Sequence, residues 1–249
     1  MNKKSMSDTL VVVLIFVIGA IILLSFGSSV ASKLKEDSDI ETCRLSVLAQ
    51  AQTRKPIGIA ALPKTYTPLD CPRRSLKIFE NKVEINSKKS KKYSFKKLSA
   101  DEMNKVLAEE LRLCWYKMME GGKDIFDYSY WVSSNACLIC SEIEFDSSLK
   151  GKSYEGLLDY LKSKKIPKGG ITYFDYLIRY KKDMFSSLGI EPWIQFSEEK
   201  LNAGEKYSVY FLAHKPDFVK QTFGEQKSAY HIDLSKESEL SRVCSELTN

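Results

Sequence analysis

Hydrophobic and polar positions are most sharply segregated at the start of the chain. From Leu10 to Phe26 every residue is apolar or small, LVVVLIFVIGAIILLSF, and the whole stretch 9–31 carries no charge. At about 1.5 Å per residue, a helix over this stretch crosses a hydrocarbon core of roughly 30 Å. A core helix of a water-soluble domain seldom runs so long without a charged position, so the pattern predicts a transmembrane helix over 9–31.

The pattern behind the anchor is that of a folded body. Asp37 to Gln52 contains no Gly or Pro, and Ile40, Leu45, Val47 and Leu48 give it a partial apolar face, which predicts a juxtamembrane helix. Residues 53–75 hold Pro56, Pro63, Pro68 and Pro72 and read as an extended connection. Short strands are predicted at Leu76–Phe79 and Lys82–Ile85, with a turn at Glu80-Asn81. Ser99-Ala100-Asp101-Glu102 has the form of a capping box, in which hydroxyl and carboxylate satisfy free backbone donors reciprocally. Met103, Leu107, Leu111, Cys114 and Met118 then recur at helical spacing, joined by Val106 and Trp115, and Gly121-Gly122 ends the run. Ala136–Phe145 alternates as a strand, with Glu142 and Glu144 on one face. Helices are expected at Tyr154–Lys162 and Ile171–Tyr180, separated by Pro167-Lys168-Gly169-Gly170. Strands are expected at Tyr207–Ala213 and Ala229–Leu234, and a last helix over Lys236–Leu247. Strands and helices without regular alternation, and without an internal repeat, give an α+β fold. The organisation is a cytoplasmic N-terminus over 1–8, the transmembrane helix over 9–31, a juxtamembrane helix and Pro-rich connection over 32–75, and one extracytoplasmic domain over 76–249.

Cysteine usage sets the orientation. Lys3, Lys4 and the terminal amine lie before the apolar run, and Lys33, Lys35 and Arg44 lie after it, so the distribution of positive charge is nearly balanced. All six cysteines, Cys43, Cys71, Cys114, Cys137, Cys140 and Cys244, fall after it. An even number on one side is the expectation for disulfides in an oxidising space. The N-terminus is therefore placed inside, the body outside, and the chain in the cell membrane as a single-pass protein. A net charge of +6 in 249 residues permits attraction to anionic lipid or glycan surfaces without demanding nucleic acid, which an outward-facing body would not meet.

Two further readings attach to the N-terminus. Ser29-Val30-Ala31 has the small-x-small form of a signal-peptidase site, which would make the segment a removed signal peptide. Lys3-Lys4-Ser5-Met6-Ser7-Asp8, running directly into the apolar stretch, resembles the class III signal peptide of archaeal type IV pilin-like proteins. That resemblance covers about 30 residues. It implies cleavage by a prepilin peptidase between Ser5 and Met6 and a role for the helix in assembly. Ser5 stands where the family usually has Gly.

Candidate chemistry is sparse. Cys137-Leu138-Ile139-Cys140 is the sharpest motif, since a CxxC pair can act as a redox-active dithiol in an envelope thiol–disulfide oxidoreductase. It lacks a Trp or Pro-Gly turn within the pair and leads into a strand. An odd separation along one strand sends the two side chains to opposite faces, where each can bond a different element. Cys114 on the capped helix is a natural partner for one of them. No second CxxC or paired His completes a zinc site, and no cofactor is expected. The run Lys88-Lys89-Ser90-Lys91-Lys92, flanked by Lys82, Lys96 and Lys97 and interleaved with Tyr93 and Phe95, reads as an anionic-surface binding patch or as a solvated edge strand. His214 and His231 sit on or beside strands. Tyr128-Tyr130-Trp131 and Tyr173-Phe174-Tyr176 form aromatic clusters. Gly151-Lys152-Ser153 echoes the end of a P-loop, but Asp146 occupies the position its first Gly requires. The functional expectation is a membrane-anchored, non-enzymatic protein of surface assembly or partner binding, with the bilayer as one partner through residues 9–31 and a protein or a second copy as the other.

Overall fold

The computed structural model describes residues 38–52, 69–122, 134–167, 169–178, 200–215, 229–244 and 246–248. The predicted anchor over 9–31, the basic pair before it, most of the Pro-rich connection and the cluster Tyr128-Tyr130-Trp131 lie outside these residues. Among the described residues no helix is long and apolar enough to cross a membrane. The chain divides into two compact units, Met1–Glu41 and Thr42–Asn249. The second contains the α+β body.

In chain order the elements are α1 (38–52), β1 (Arg74–Ile78), β2 (Lys82–Ile85), β3 (Lys88–Ser94), α2 (Ala100–Lys117), β4 (Ser134–Phe145), β5 (Ser153–Glu155), α3 (Leu157–Ser163), α4 (173–178), β6 (Lys200–Asn202), β7 (Tyr207–Lys215), β8 (Ala229–Lys236), α5 (Leu240–Val243) and β9 (Glu246–Thr248). Seven strands form one mixed sheet in the order β3-β2-β1-β4-β7-β8, with β9 also on β4. The remaining two, β5 and β6, pair separately. The centre of the large sheet is β4. Its second half runs parallel to β1, from Arg74 opposite Ser141 to Ile78 opposite Phe145. Its first half runs parallel to β9, from Ala136 opposite Glu246 to Leu138 opposite Thr248. The other edge of β4 is antiparallel to β7.

Helix α2 forms where the capping box starts it. The Ser99 hydroxyl accepts from the Glu102 amide, and the Glu102 carboxylate accepts from the Ser99 amide. Its apolar stripe, Met103, Val106, Leu107, Leu111, Cys114, Trp115 and Met118, is fully buried against one face of the sheet. That face presents Leu76, Ile78, Val83, Ala136, Leu138, Ile143, Val209, Phe211 and Leu234. Trp115 packs on Phe211 at 6.0 Å, and Phe211 stacks on Tyr230 at 5.8 Å. The helix ends through Met119 and Glu120, both with positive φ, into Gly121 at φ +71°. A Cβ at 121 would lie 2.6 Å from the Trp115 ring, so glycine is required there by contact as well as by backbone.

Three disulfides close the body: Cys43–Cys71, Cys114–Cys140 and Cys137–Cys244. The first ties α1 to the segment entering β1. The buried side of α1 runs through Cys43, Val47 and Gln50, and Leu45, counted in its apolar face from the pattern, is 64% exposed. The other two bridges fasten β4 on opposite faces, to α2 on one side and to the residue after α5 on the other.

Two expected elements differ. Tyr154, predicted to begin a helix, lies in β5, because residues 153–155 pair with 200–202. Its ring stacks on Phe145 at 6.0 Å, and the helix starts at Leu157. The expected helix over Lys236–Leu247 is only the turn Leu240–Val243. β8 continues to Lys236, and β9 is drawn onto β4 beside the Cys137–Cys244 bridge.

The bridge with the longest spacing does most to restrict the unfolded chain. Replacing Cys137 and Cys244, 107 residues apart, by Ser is expected to lower stability by about 4–5 kcal/mol, and replacing Cys114 and Cys140 by about 3–4 kcal/mol. Denaturant unfolding of the two double variants against the parent checks this, and equal losses would contradict the loop-length account.

Candidate functional site

The strands β1, β2 and β3 form a meander at one edge of the sheet. Its two turns follow from local chemistry. Asn86 and Ser87 take positive φ of 49° and 62°, the backbone of a tight two-residue hairpin, which Asn tolerates better than most residues. The Asn86 amide donates to the Ser75 carbonyl, and its side-chain oxygen accepts from the Ser75 amide, so the hairpin tip is tied back to β1. The β1–β2 turn closes where the Phe79 amide donates to the Lys82 carbonyl at 2.9 Å.

Around that turn the surface is basic and aromatic. The ammonium groups of Lys82 and Lys77 lie 4.5 and 5.5 Å from the Phe79 ring centre, a favourable cation–π arrangement. Phe79, Glu80, Asn81, Lys96, Lys97 and Ser148 line an open depression of about 450 Å³. Lys152 sits 3.0 Å from the Glu80 carboxylate. Its hydrogen bond, and then its charge, hold Glu80 below the usual carboxylate range. Lys88, Lys89, Lys91 and Lys92 all fall in edge strand β3, with Lys88 opposite Ile85 and Lys89 opposite Glu84. Residues 77–97 contain eight lysines and two glutamates, a net charge of +6, and the whole chain also carries +6. Outside residues 77–97 the chain therefore has as many acids as bases.

The CxxC residues do not meet each other. Cys137 lies with Ile139, Tyr210, Leu212, Leu240 and Cys244 on one face of the sheet, and Cys140 lies with the α2 core on the other. The strand register shifts between Ile139 and Ser141, so Cys140 occupies a bulge. All six cysteines are bonded and none is free.

A buried ionic cluster lies between α2 and its neighbours. Arg74, at the start of β1, reaches Glu110 with two guanidinium nitrogens at 3.1 and 3.2 Å. Glu109 accepts from Arg112 at 3.1 Å and from the Tyr173 hydroxyl on α4. Arg74, Glu109 and Glu110 are all 6% exposed or less. Burial, and then the carboxylates of Glu110 and Glu109, push the Tyr93 phenol far above its ordinary value. Burial and the hydrogen bond to Glu109 do the same to Tyr173. A related junction joins α1 and α4 at the end of α2. Arg44 lies 3.8 Å over the Tyr116 ring and 3.7 Å from Glu120, which also accepts from the Tyr176 hydroxyl at 3.0 Å. Phe174 of the same aromatic triplet has Lys162 over its ring.

The second face of β7 and β8 carries the two histidines. His214 is hydrogen-bonded to Asn135 at 2.6 Å, and Asn135 donates to the Val243 carbonyl. Tyr210 donates to Asp233 at 3.0 Å. Among the described residues no group of three or more His, Cys, Asp or Glu side chains is placed to hold a metal ion. Gly151 of the P-loop echo lies in a turn with φ +85°.

The Arg74–Glu110 cluster is not among the sites the sequence pattern predicts, although it carries a signal there. Glu110 falls on the same helical stripe as Met103, Leu107 and Cys114, where a carboxylate requires a buried partner. Together, fold and surface define a disulfide-stapled α+β domain with a basic sheet edge. No protein-family model, curated protein or solved structure matches the chain.

Two outcomes test the buried cluster. Arg74→Met, which leaves Glu110 buried without its partner, is expected to cost about 3–5 kcal/mol. The double variant Arg74→Met/Glu110→Leu should recover most of that loss in denaturant unfolding. Tyr93 and Tyr173 stay protonated in the folded chain, whereas in the unfolded chain they ionise near their ordinary value of about 10. Their contribution is full below that pH and falls above it, by about 1.4 kcal/mol per pH unit for each. Phenolate absorbance should show Tyr93 and Tyr173 among the tyrosines that ionise only on unfolding, and complete titration of the folded protein near pH 10 would contradict their burial.

Proposed function

We propose that this chain is a membrane-anchored extracytoplasmic protein that acts by binding and assembly at the cell surface and catalyses no reaction of its own. The observation that carries the reading is the pairing of all six cysteines, every one of them behind the uncharged stretch 9–31. Three bridges in one small body belong to an oxidising compartment. A charge-free stretch of that length directly before the body supplies the tether. The basic sheet edge and the open depression beside Phe79 provide contact surface.

The N-terminus refines the proposal. Lys3-Lys4-Ser5 ahead of the apolar stretch supports processing between Ser5 and Met6 in the manner of type IV pilin-like subunits, with the helix entering an assembly of copies. Sequencing the N-terminus of the protein recovered from cell membranes tests both levels. A start at Met6 is the expected result. A start at Met1 would overturn pilin-like processing and keep the anchor, and a start at Ser32 would overturn the anchor itself. Alkaline carbonate should leave the protein with the membrane, and protease added to intact spheroplasts should digest the body.

A further inference from the structure

We infer that the β1–β3 meander docks on anionic phospholipid headgroups of the bilayer that holds residues 9–31, so that the tethered body lies against its own membrane. The inference rests on the anchoring proposed above. Its first support is the partition of charge: residues 77–97 carry a net +6, and the remainder of the chain is neutral in sum. A body whose excess of positive charge is gathered almost entirely in one stretch at a sheet edge is oriented by a negative surface. Each lysine close to such a surface contributes about a fivefold gain in binding, and the attraction decays within a Debye length of about 8–10 Å.

The second support is the chemistry around the turn. Phe79 is half-buried, with the Lys82 and Lys77 ammonium groups 4.5 and 5.5 Å from its ring centre, and Lys96 and Lys97 line the same depression. An aromatic ring among lysines suits the boundary between headgroups and acyl chains, where rings and long basic side chains are both favoured.

The third is the covalent path. Along the chain, Lys77 is 46 residues beyond Ala31. The Cys43–Cys71 bridge shortens this to 12 residues up to Cys43 and 6 residues on from Cys71. A short tether raises the effective concentration of the patch at the surface, so contacts too weak to recruit a free protein suffice to dock a tethered one.

The test uses the full chain in nanodiscs of neutral phospholipid and of phospholipid with an anionic fraction, with lysine acetylation read residue by residue by mass spectrometry. Lys88, Lys89, Lys91, Lys92, Lys96 and Lys97 should be acetylated several-fold more slowly in the anionic discs, and high salt should abolish the difference. The exposed Lys105 and Lys165 serve as internal references. Replacing Lys88, Lys89, Lys91 and Lys92 by Glu should remove the protection of Lys96 and Lys97, with the three disulfides mapped to verify folding. Equal acetylation in both lipids, in protein that has entered the discs, would overturn the docking and leave the anchor standing. Failure to enter either disc would overturn the anchor and the docking with it. Protection that appears only on adding a soluble polyanion such as polyphosphate would overturn the lipid assignment in favour of an envelope polymer.

Discussion

The rest of the fold depends on β4, a central strand held covalently from both sides. From Ala136 to Ser141 every residue is buried, on one face of the strand as on the other. Leu138 and Cys140 face α2, while Cys137 and Ile139 face the segment that carries Leu240 and Cys244. A strand in this setting is sensitive to register, because a shift of one residue would exchange the two faces and separate Cys137 and Cys140 from their partners. The bulge at Cys140 is part of the same solution. It lets Cys140 and Ile143 address the α2 side although their separation is odd, and so brings β1 and β7 into register with the charged end of the strand.

Given that frame, the buried ions on α2 make physical sense. Arg74 enters β1 opposite Ser141, and the α2 stripe passes over it at Glu110. Taking both charges out of water costs energy that a bidentate pair only partly offsets, so an apolar pair would hold the sheet and helix together at least as well. What the ionic pair adds is an angular requirement. A guanidinium engaging both carboxylate oxygens fixes the helix along its own axis, while Glu109, one residue further back, is engaged by Arg112 and by Tyr173 of α4. The Cys114–Cys140 bridge limits the distance between helix and sheet, and the Arg74–Glu110 pair limits their slide. These constraints act a turn apart on α2 and are complementary.

Legibility in the sequence followed the range of the interactions involved. The capping box of α2, its apolar stripe, the alternation of β1, β2, β4, β7 and β8, and the turn at Glu80-Asn81 are set by neighbours within a few residues, and the pattern located them. The opposite faces of Cys137 and Cys140 followed from strand parity alone, but the partner of Cys137 did not. Cys244 is 107 residues away. The same distance explains the error at the C-terminus. Leu240, Val243 and Leu247 have helical spacing, yet residues 246–248 find free backbone groups on β4 and become a strand. Tyr154 became a strand residue for a like reason, since its partners begin at residue 200. Of the candidate surface, the lysine run was visible. Its gathering with Lys77 and Phe79 was not, because that requires the fold of the meander.

Protection of the sheet edge explains part of the basic meander. Edge strands repel unwanted pairing when they carry charge, and Lys88, Lys89, Lys91 and Lys92 on β3 answer that need. Edge protection makes no demand on inner strands or on residues past the edge. Yet the meander also places Lys77 on β1, Lys82 on β2, and Lys96 and Lys97 beyond β3, against only Glu80 and Glu84. Within β2 Lys82 pairs with Glu84, which also lies opposite Lys77 on β1, and Lys152 pairs with Glu80. Residues 77–97 still hold six more lysines than glutamates, whereas elsewhere Arg73 pairs with Glu142 and Lys206 lies near Glu144. Positive charge gathered along one edge raises the self-repulsion of the folded body there. Such a cost is offset when the edge meets negative charge that the chain itself does not carry.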